Sequence, residues 1–381
     1  MDLMKKNEQL SKEEFTSYLS GLKNNPLSIV LYQDEKSFFF YYPEEEINKK
    51  ILHLHKKQWE LDSLFSFFSK TGKKQLIKSF LINDILSTNA IEEIHSTSRD
   101  VFSILETAKN STDKELLFIT KAYQNLLENK ETELNTLSDI RSLYDELIAK
   151  GINKEDRPDG TYFRKEPVYI SNGLKAIHTG FYPEERIKQG LSSFIKLIHK
   201  DMDTYLKAIL SHFLFETIHP FYDGNGRLGR YIFSALLLQE THSVFSFLIS
   251  SCIHQEKNKY YSALKEGEER FEFGLVNEYV SKMIDVLTDG IESTIEELKE
   301  KKTKIENFSY DSDLSASEKK VFFLLSESSV LSLYGIRNDE IMKESCISKR
   351  TLMYILKRLK DQNRLIDTKF GRFTYHKIKL D

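Results

Sequence analysis

The sequence predicts a mainly α-helical protein, and three observations carry that expectation. Six prolines and fifteen glycines in 381 residues leave few helix breakers, and Leu, Ile, Lys, Glu and Phe dominate instead. Apolar residues recur at helical spacing through most of the chain. One region, residues 166–183, breaks that pattern.

Taken in order, residues 45–150 carry several amphipathic helices, of which "QWELDSLFSFFSK" and "SFLINDILSTNAIEEIH" are the clearest. The break, "EPVYISNGLKAIHTGFYP", places the β-formers Val168, Tyr169 and Ile170 before "SNG" and a second short apolar run. That pattern predicts a hairpin turning at Asn172-Gly173. Three helices follow, "ERIKQGLSSFIKLIHK", "TYLKAILSHFLFETIH" and "GRLGRYIFSALLLQE". In the second, Leu206, Ile209, Leu210, Phe213 and Leu214 fall at core spacing. A highly charged helix over Met283 to Asn307 ends this unit, and "NFSYDSD" reads as a linker. From about Ser315 the pattern is three helices and a terminal β-hairpin, similar to a winged helix. The expected organisation is an N-terminal helical region (1–110), a core (111–307), a linker (308–314) and the winged-helix segment (315–381).

Length and charge narrow the function classes. Single cores stop growing at roughly 250–300 residues, so more than one folding unit is expected. The net charge of −3 marks no general affinity for nucleic acid or membranes. Locally, residues 311–381 hold 14 basic against 10 acidic side chains. Lys349, Arg350, Lys357, Arg358 and Lys360 lie on the helix that a winged helix would present to DNA phosphates. Their other reading is a solvated helix face, since no base-reading set stands out. Cys252 and Cys346 lie far apart without metal-ligand spacing, which argues against a disulfide framework or zinc site. No apolar stretch has membrane-span length and the N-terminus lacks a signal-like apolar region, so a cytoplasmic protein is expected.

The chemistry concentrates in "ETIHPFYDGNGRLGR", residues 216–230. Pro220 cannot donate a backbone hydrogen bond and disfavours helix at the preceding residue, so the helix ends near His219 and presents its imidazole. Gly224, Asn225 and Gly226 tolerate positive φ, which predicts a nest of backbone N–H groups. The next helix, expected from Gly226 or Arg227, adds its N-terminal donors. Arg227 and Arg230 are one turn apart and can both grip phosphate. Asp223 beside them suits magnesium, which takes one or two protein carboxylates together with phosphate oxygens and water. The spacing of Gly224, Gly226 and Gly229 also matches a dinucleotide fingerprint, but a helix rather than a strand precedes it, so that match is accidental.

"HPFYDGNGR" followed by "LGR" resembles the Fic-domain signature, His-Pro-Phe-x-Asp/Glu-Gly-Asn-Gly-Arg-x-x-Arg, with every specified position filled. The 166–183 hairpin is similar to the family's flap, and "KNKYYSALKEGEE" to the helix after its core. The resemblance implies transfer of AMP from ATP to a Ser, Thr or Tyr hydroxyl of a target protein, the chain itself included. His219 would be the general base and Asp223 the magnesium ligand. Gly224, Asn225 and Gly226 would cradle phosphates, Arg227 would bind the β-phosphate and Arg230 the γ-phosphate. The hairpin, with Val168, Tyr169 and Ile170, would hold an extended target segment by strand addition. The intact Gly-Asn-Gly run favours nucleotide over phosphate transfer.

"STNAIEEIHSTSRD" resembles the family's inhibitory helix, with Thr88 and Glu92 in the defining places and Glu93 where Gly or Asn is usual. Thr88 and Glu92, four apart, should share one helix face. The resemblance implies that Glu92 pairs with Arg230 and denies it to the γ-phosphate. Two alternatives stay open: removal of AMP with Glu92 positioning water, and a DNA-binding regulator whose core senses nucleotide. Oligomeric state, homodimer included, is open too.

Overall fold

The computed structural model describes residues 3–107, 113–128, 132–171, 176–269, 273–308, 314–370 and 372–379. It is mainly α-helical, as expected, but opens with an element that was not anticipated. Helices α1 (Leu3–Gln9) and α2 (Lys12–Lys23) lead into a hairpin, β1 (Ile29–Gln33) and β2 (Phe38–Tyr41). Its turn is closed by Asp34, whose Oδ1 accepts from the backbone N–H groups of Lys36 and Ser37 at 2.8 and 2.6 Å. "IVLYQDEKSFFFY" does carry the signal, β-branched and aromatic residues around a polar turn.

Helices α3 (Glu45–Phe67), α4 (Lys70–Ile91), α5 (Ser98–Thr107), α6 (Lys114–Leu127) and α7 (Leu137–Tyr144) follow, the last running into a π-helical turn over Asp145–Ala149. The short antiparallel pair β3 (Tyr169–Ser171) and β4 (Ala176–Thr179) sits where the break in periodicity placed it. Val168 lies just before the strand, and its carbonyl accepts from Gly180 at 3.1 Å. The expected turn at Asn172-Gly173 lies outside the described residues, as do the side chains of Tyr169 and Ile170. Helices α8 (Glu184–Ile198), α9 (Thr204–Ile218), α10 (Asn225–Thr241), α11 (Ile249–Gln255), α12 (Lys257–Glu269) and the 30-residue α13 (Asn277–Glu306) complete the bundle.

α9 is its axis. Every residue from Tyr205 to Ile218 is buried, which explains why this helix is apolar on nearly all sides. α8, α10 and α13 pack around it. One large hydrophobic core joins Leu31, Leu81, Phe213, Phe233 and Leu298, so α3, α4 and α5 share their core with the residues after 110, while Leu3, Phe15 and Leu22 of α1 and α2 form a small cluster with Phe40 and Leu275. The expected boundary at 110 and residues 309–313 of the expected linker fall outside the described residues.

The C-terminal segment has its own smaller core of Val321, Leu325, Ile341, Leu352, Ile355 and Leu359. It is built from α14 (Ala316–Leu331), β5 (Ile336–Arg337), α15 (Asn338–Ser345), α16 (Lys349–Asp361), β6 (Leu365–Phe370) and β7 (Phe373–Ile378), with strand order β5-β7-β6. It rests on α4 and α5: Ser79 donates to the Leu331 carbonyl at 2.9 Å, and Phe102 packs among Tyr334, Phe370 and Tyr375. Among the described residues no helix is long and apolar enough to cross a membrane.

Candidate active site

The turn between α9 and α10 forms because its sequence permits no continuation of α9. His219 takes the left-handed conformation, φ 51°, directly before Pro220. Its Nδ1 lies 3.2 Å from the Glu216 carbonyl, an obligate acceptor, so the hydrogen belongs on Nδ1 and the lone pair on Nε2. Phe221 is fully buried and stacks on Tyr144 at 3.6 Å between ring centres. The Tyr144 hydroxyl donates to the Asp223 carbonyl at 3.2 Å. The turn therefore stands on an aromatic floor.

Asn225 closes the turn from within. Its Oδ1 accepts from the Phe221 N–H and its Nδ2 donates to the Phe221 carbonyl, each at 2.9 Å. This corrects part of the expected nest. Only Gly224 adopts positive φ, at 80°, and α10 begins at Asn225, one residue earlier than expected. Asn225 and Gly226 are already helical, so the donors on offer are those of a helix N-terminus. The Asn225 side chain braces the turn instead of facing the site. Gly224 has a second reason to be glycine, since a Cβ there would collide with Ile148.

Both arginines of α10 are almost wholly buried, and each is held by a carboxylate from far away in the chain. Arg230 donates through Nε to Thr88 Oγ1 at 2.9 Å and through Nη2 to Glu92 Oε1 at 2.7 Å and the Thr88 carbonyl at 3.2 Å. Burial acts to push the Glu92 carboxyl up, but the Arg230 guanidinium outweighs it and holds Glu92 below the ordinary carboxylate range. The carboxylate stands directly over Gly226: a Cβ at that glycine would collide with Glu92 Oε1 and lie 2.9 Å from Arg230 Nη1. Glu92 thus occupies the anion-attracting start of α10.

Thr88 and Glu92 face the same way, as their spacing implied, but Glu92 is not within the helix. α4 ends at Ile91 and Glu92 is its C-cap. Glu93 is left-handed, φ 60°, and the backbone bonds Ile94 to Asn89 (2.9 Å) and Glu93 to Ala90 (3.3 Å) form a Schellman motif. The departure noted at Glu93 now has a structural meaning. Glycine or asparagine suits that backbone conformation and glutamate does not. Lys257 Nζ, at the start of α12, adds a donor to the Ile91 carbonyl at 3.2 Å.

Three further residues escaped sequence reasoning. Glu115, on α6, pairs with Arg227 Nη1, while Asp223 Oδ2 is 3.4 Å from Arg227 Nη2. Arg164 is fully buried and donates to the carbonyls of His219 (2.9 Å), Glu166 (2.7 Å) and Phe181 (2.8 Å), tying the turn to the base of the β3–β4 hairpin. Burial lowers its pKa to about 10. Glu216 is packed between α9 and Gly229 of α10, where a Cβ on Gly229 would collide with its carboxyl. Burial raises that carboxyl to about 8. Gly229 therefore serves helix packing and not a dinucleotide.

Asp223 keeps an exposed carboxylate that takes the Gly224 N–H on Oδ1 at 2.6 Å. Among the described residues no group of three or more His, Cys, Asp or Glu side chains could hold a metal ion. A lone carboxylate beside a phosphate site nevertheless fits magnesium, which draws most of its ligands from phosphate and water.

A family model described as Fic/DOC matches residues 134–237, the span that includes this turn and both arginines. Residues 134–237 are a Fic/DOC-family domain. A probable protein adenylyltransferase of Aquifex aeolicus is 43% identical over 157 residues, which cover 39% of this chain and 42% of that protein. A protein adenylyltransferase Fic of Nematostella vectensis is 30% identical over 190 residues, covering 47% of this chain and 42% of that protein. The chain thus spans less than half the length of either relative. In fold it is similar to a Fic family protein from Desulfovibrio desulfuricans, with a TM-score of 0.54 at 16% identity over 92% of this chain and 99% of that one. The Fic signature accounts for the turn and α10. Glu115, Arg164 and Glu216 lie outside that signature and pack around it.

Proposed function

We propose that the protein transfers AMP from ATP to a Ser, Thr or Tyr hydroxyl of a protein substrate and that the structure holds the site in a self-blocked state. One observation carries this reading. The Arg230 guanidinium is filled by Thr88 and Glu92, and the Glu92 carboxylate lies over Gly226 where a phosphate would meet the N-terminus of α10. An acid in a phosphate cradle blocks the ligand that resembles it.

In the open state, His219 Nε2 takes the hydroxyl proton while the hydroxyl oxygen bonds to the α-phosphorus. Pyrophosphate leaves with the electrons of the broken P–O bond. The N–H groups of Asn225 and Gly226, with the Gly224 backbone shaping the turn, and the Arg227 and Arg230 guanidiniums hold the phosphates, so catalysis is mostly positioning and charge neutralisation. Asp223 would hold magnesium, which neutralises phosphate charge when bound. The β3–β4 hairpin, including Tyr169 and Ile170 with Val168 at its edge, would take the target segment as an added strand.

In this reading residues 1–110 carry the block, 111–307 the catalytic core and 315–381 a winged helix. The solvent side of α16 exposes Lys349, Arg350, Lys357 and Lys360 with Met353 and Tyr354, a face able to meet nucleic-acid phosphates.

The test is mass spectrometry of the Glu92→Gly protein after incubation with ATP and magnesium, alone and in lysate. An AMP-sized mass gain on a hydroxyl residue is expected, and its loss in Glu92→Gly/His219→Ala with ATP binding retained. Continued labelling by the His219 variant would sink the assignment of the base.

A further inference from the structure

Arg227 is as enclosed as Arg230, the other arginine expected to grip phosphate, but its donors are used unevenly. Its side chain is 1% exposed. Nη1 is taken by Glu115, Nη2 is 3.4 Å from Asp223, and Nε is buried without a partner among the described residues. A buried guanidinium donor left unpaired is costly unless a ligand completes it. The Nε–Nη2 edge is therefore the edge prepared for an incoming oxyanion, because bidentate recognition uses two adjacent donors of the fork.

Glu115 is built to stay where it is. It lies in the first turn of α6, whose N-cap Asp113 accepts from Leu116 at 3.0 Å. Its backbone is pressed against Gly151, where an added Cβ would come within 2.6 Å of the Glu115 Cα. Glu92, by contrast, hangs from a strained helix end. The two carboxylates thus act differently on neighbouring arginines: Glu92 takes Nη2 of the Nε–Nη2 edge of Arg230, whose Nε goes to Thr88, whereas Glu115 takes Nη1 of Arg227 and leaves its Nε–Nη2 edge with only the 3.4 Å contact to Asp223.

The geometry points to Glu115 as a positioning residue that fixes Arg227 with its Nε–Nη2 edge toward the β-phosphate of the bound nucleotide. This inference rests on the adenylyl-transfer reading of the site. Its consequence is selective, since Glu115 acts only through an arginine that meets the second phosphate. Nucleotides with a β-phosphate should feel its loss and AMP should not.

The experiment is calorimetric titration of ATP, ADP and AMP, with magnesium, into Glu92→Gly protein with or without Glu115→Ala, Glu115→Gln and Arg227→Ala. Glu115→Ala is expected to weaken ATP and ADP about 10-fold, the scale of one charge-assisted hydrogen bond, and to leave AMP unchanged. Glu115→Gln, which keeps an acceptor oxygen, should lie between, and Glu115→Ala should add nothing to Arg227→Ala. Equal weakening of all three nucleotides would make Glu115 merely structural. Tighter ATP binding would make it a competitor like Glu92, and unchanged binding would remove its role; each overturns the inference. If Glu115→Ala does not fold, the Gln variant carries the same comparison. Failure of the Glu92→Gly parent to bind any nucleotide would overturn the parent reading and this inference together.

Discussion

Glu93→Gly should make the protein more stable and less active. Glu93 holds a left-handed backbone, φ 60°, at the residue after the C-cap of α4. For a residue with a Cβ that conformation costs roughly 1–2 kcal/mol. Glycine removes that cost but gives up about 0.5–1 kcal/mol of chain entropy on folding. The net gain is about 0.5–1 kcal/mol, a factor of about 2–5 in an equilibrium constant. It falls on the Schellman bonds from Ile94 to Asn89 and from Glu93 to Ala90, which hold Glu92 over Gly226. If release of Glu92 requires that helix end to unwind, the open fraction falls by the same factor of about 2–5. Initial rates of label transfer from α-phosphate-labelled ATP measure that fraction, and scanning calorimetry measures the stability. Glu93→Ala keeps the Cβ and should leave both readings near wild type. In the Glu92→Gly background Glu93→Gly should not alter labelling, because nothing remains to be held. Faster labelling or a lower melting temperature in Glu93→Gly would refute the reasoning.

Two further outcomes follow from buried charge. Arg164→Met deprives the carbonyls of His219, Glu166 and Phe181 of their donor, and three charge-assisted bonds at the low end of their range set a loss of about 3–5 kcal/mol. Urea midpoints should fall accordingly, with transfer reduced more than ATP affinity; an unchanged midpoint would contradict the tethering role. Glu216→Gln should flatten the pH dependence of stability. The folded carboxyl is raised from 4.5 to about 8 by burial, so between those values the native state keeps a proton that the unfolded chain has lost. Wild-type stability must then decline as pH rises through that window, and the Gln variant should not share the decline. Parallel urea midpoints for both proteins from pH 5 to 8 would show that Glu216 is not held protonated.

The turn from His219 to Arg230 was legible in the sequence because its determinants are local. A proline ends one helix, a glycine permits the left-handed step, and two arginines one turn apart begin the next helix. Thr88 and Glu92 were legible from a motif, although only the structure explains why the residue after Glu92 matters. What stayed hidden depends on long-range packing. Glu115 meets Arg227 across 112 residues and Arg164 meets His219 across 55, and nothing in either sequence neighbourhood marks those side chains as partners of the turn. The bracing by the Asn225 side chain was not legible either, because its turn inward to Phe221 is set by the enclosed turn and not by residue type. The first hairpin was overlooked although its alternation around Asp34 was readable, because helical periodicity dominates the chain on either side.

The central claim is that Glu92, by filling Arg230 and covering Gly226, keeps nucleotide from a productive pose. The most direct measurement is side-by-side label transfer from α-phosphate-labelled ATP by wild type and Glu92→Gly at equal concentration. Losing one charge-assisted hydrogen bond to a buried guanidinium predicts a rise of at least about 10-fold in the variant. Equal labelling by the two proteins would contradict the account.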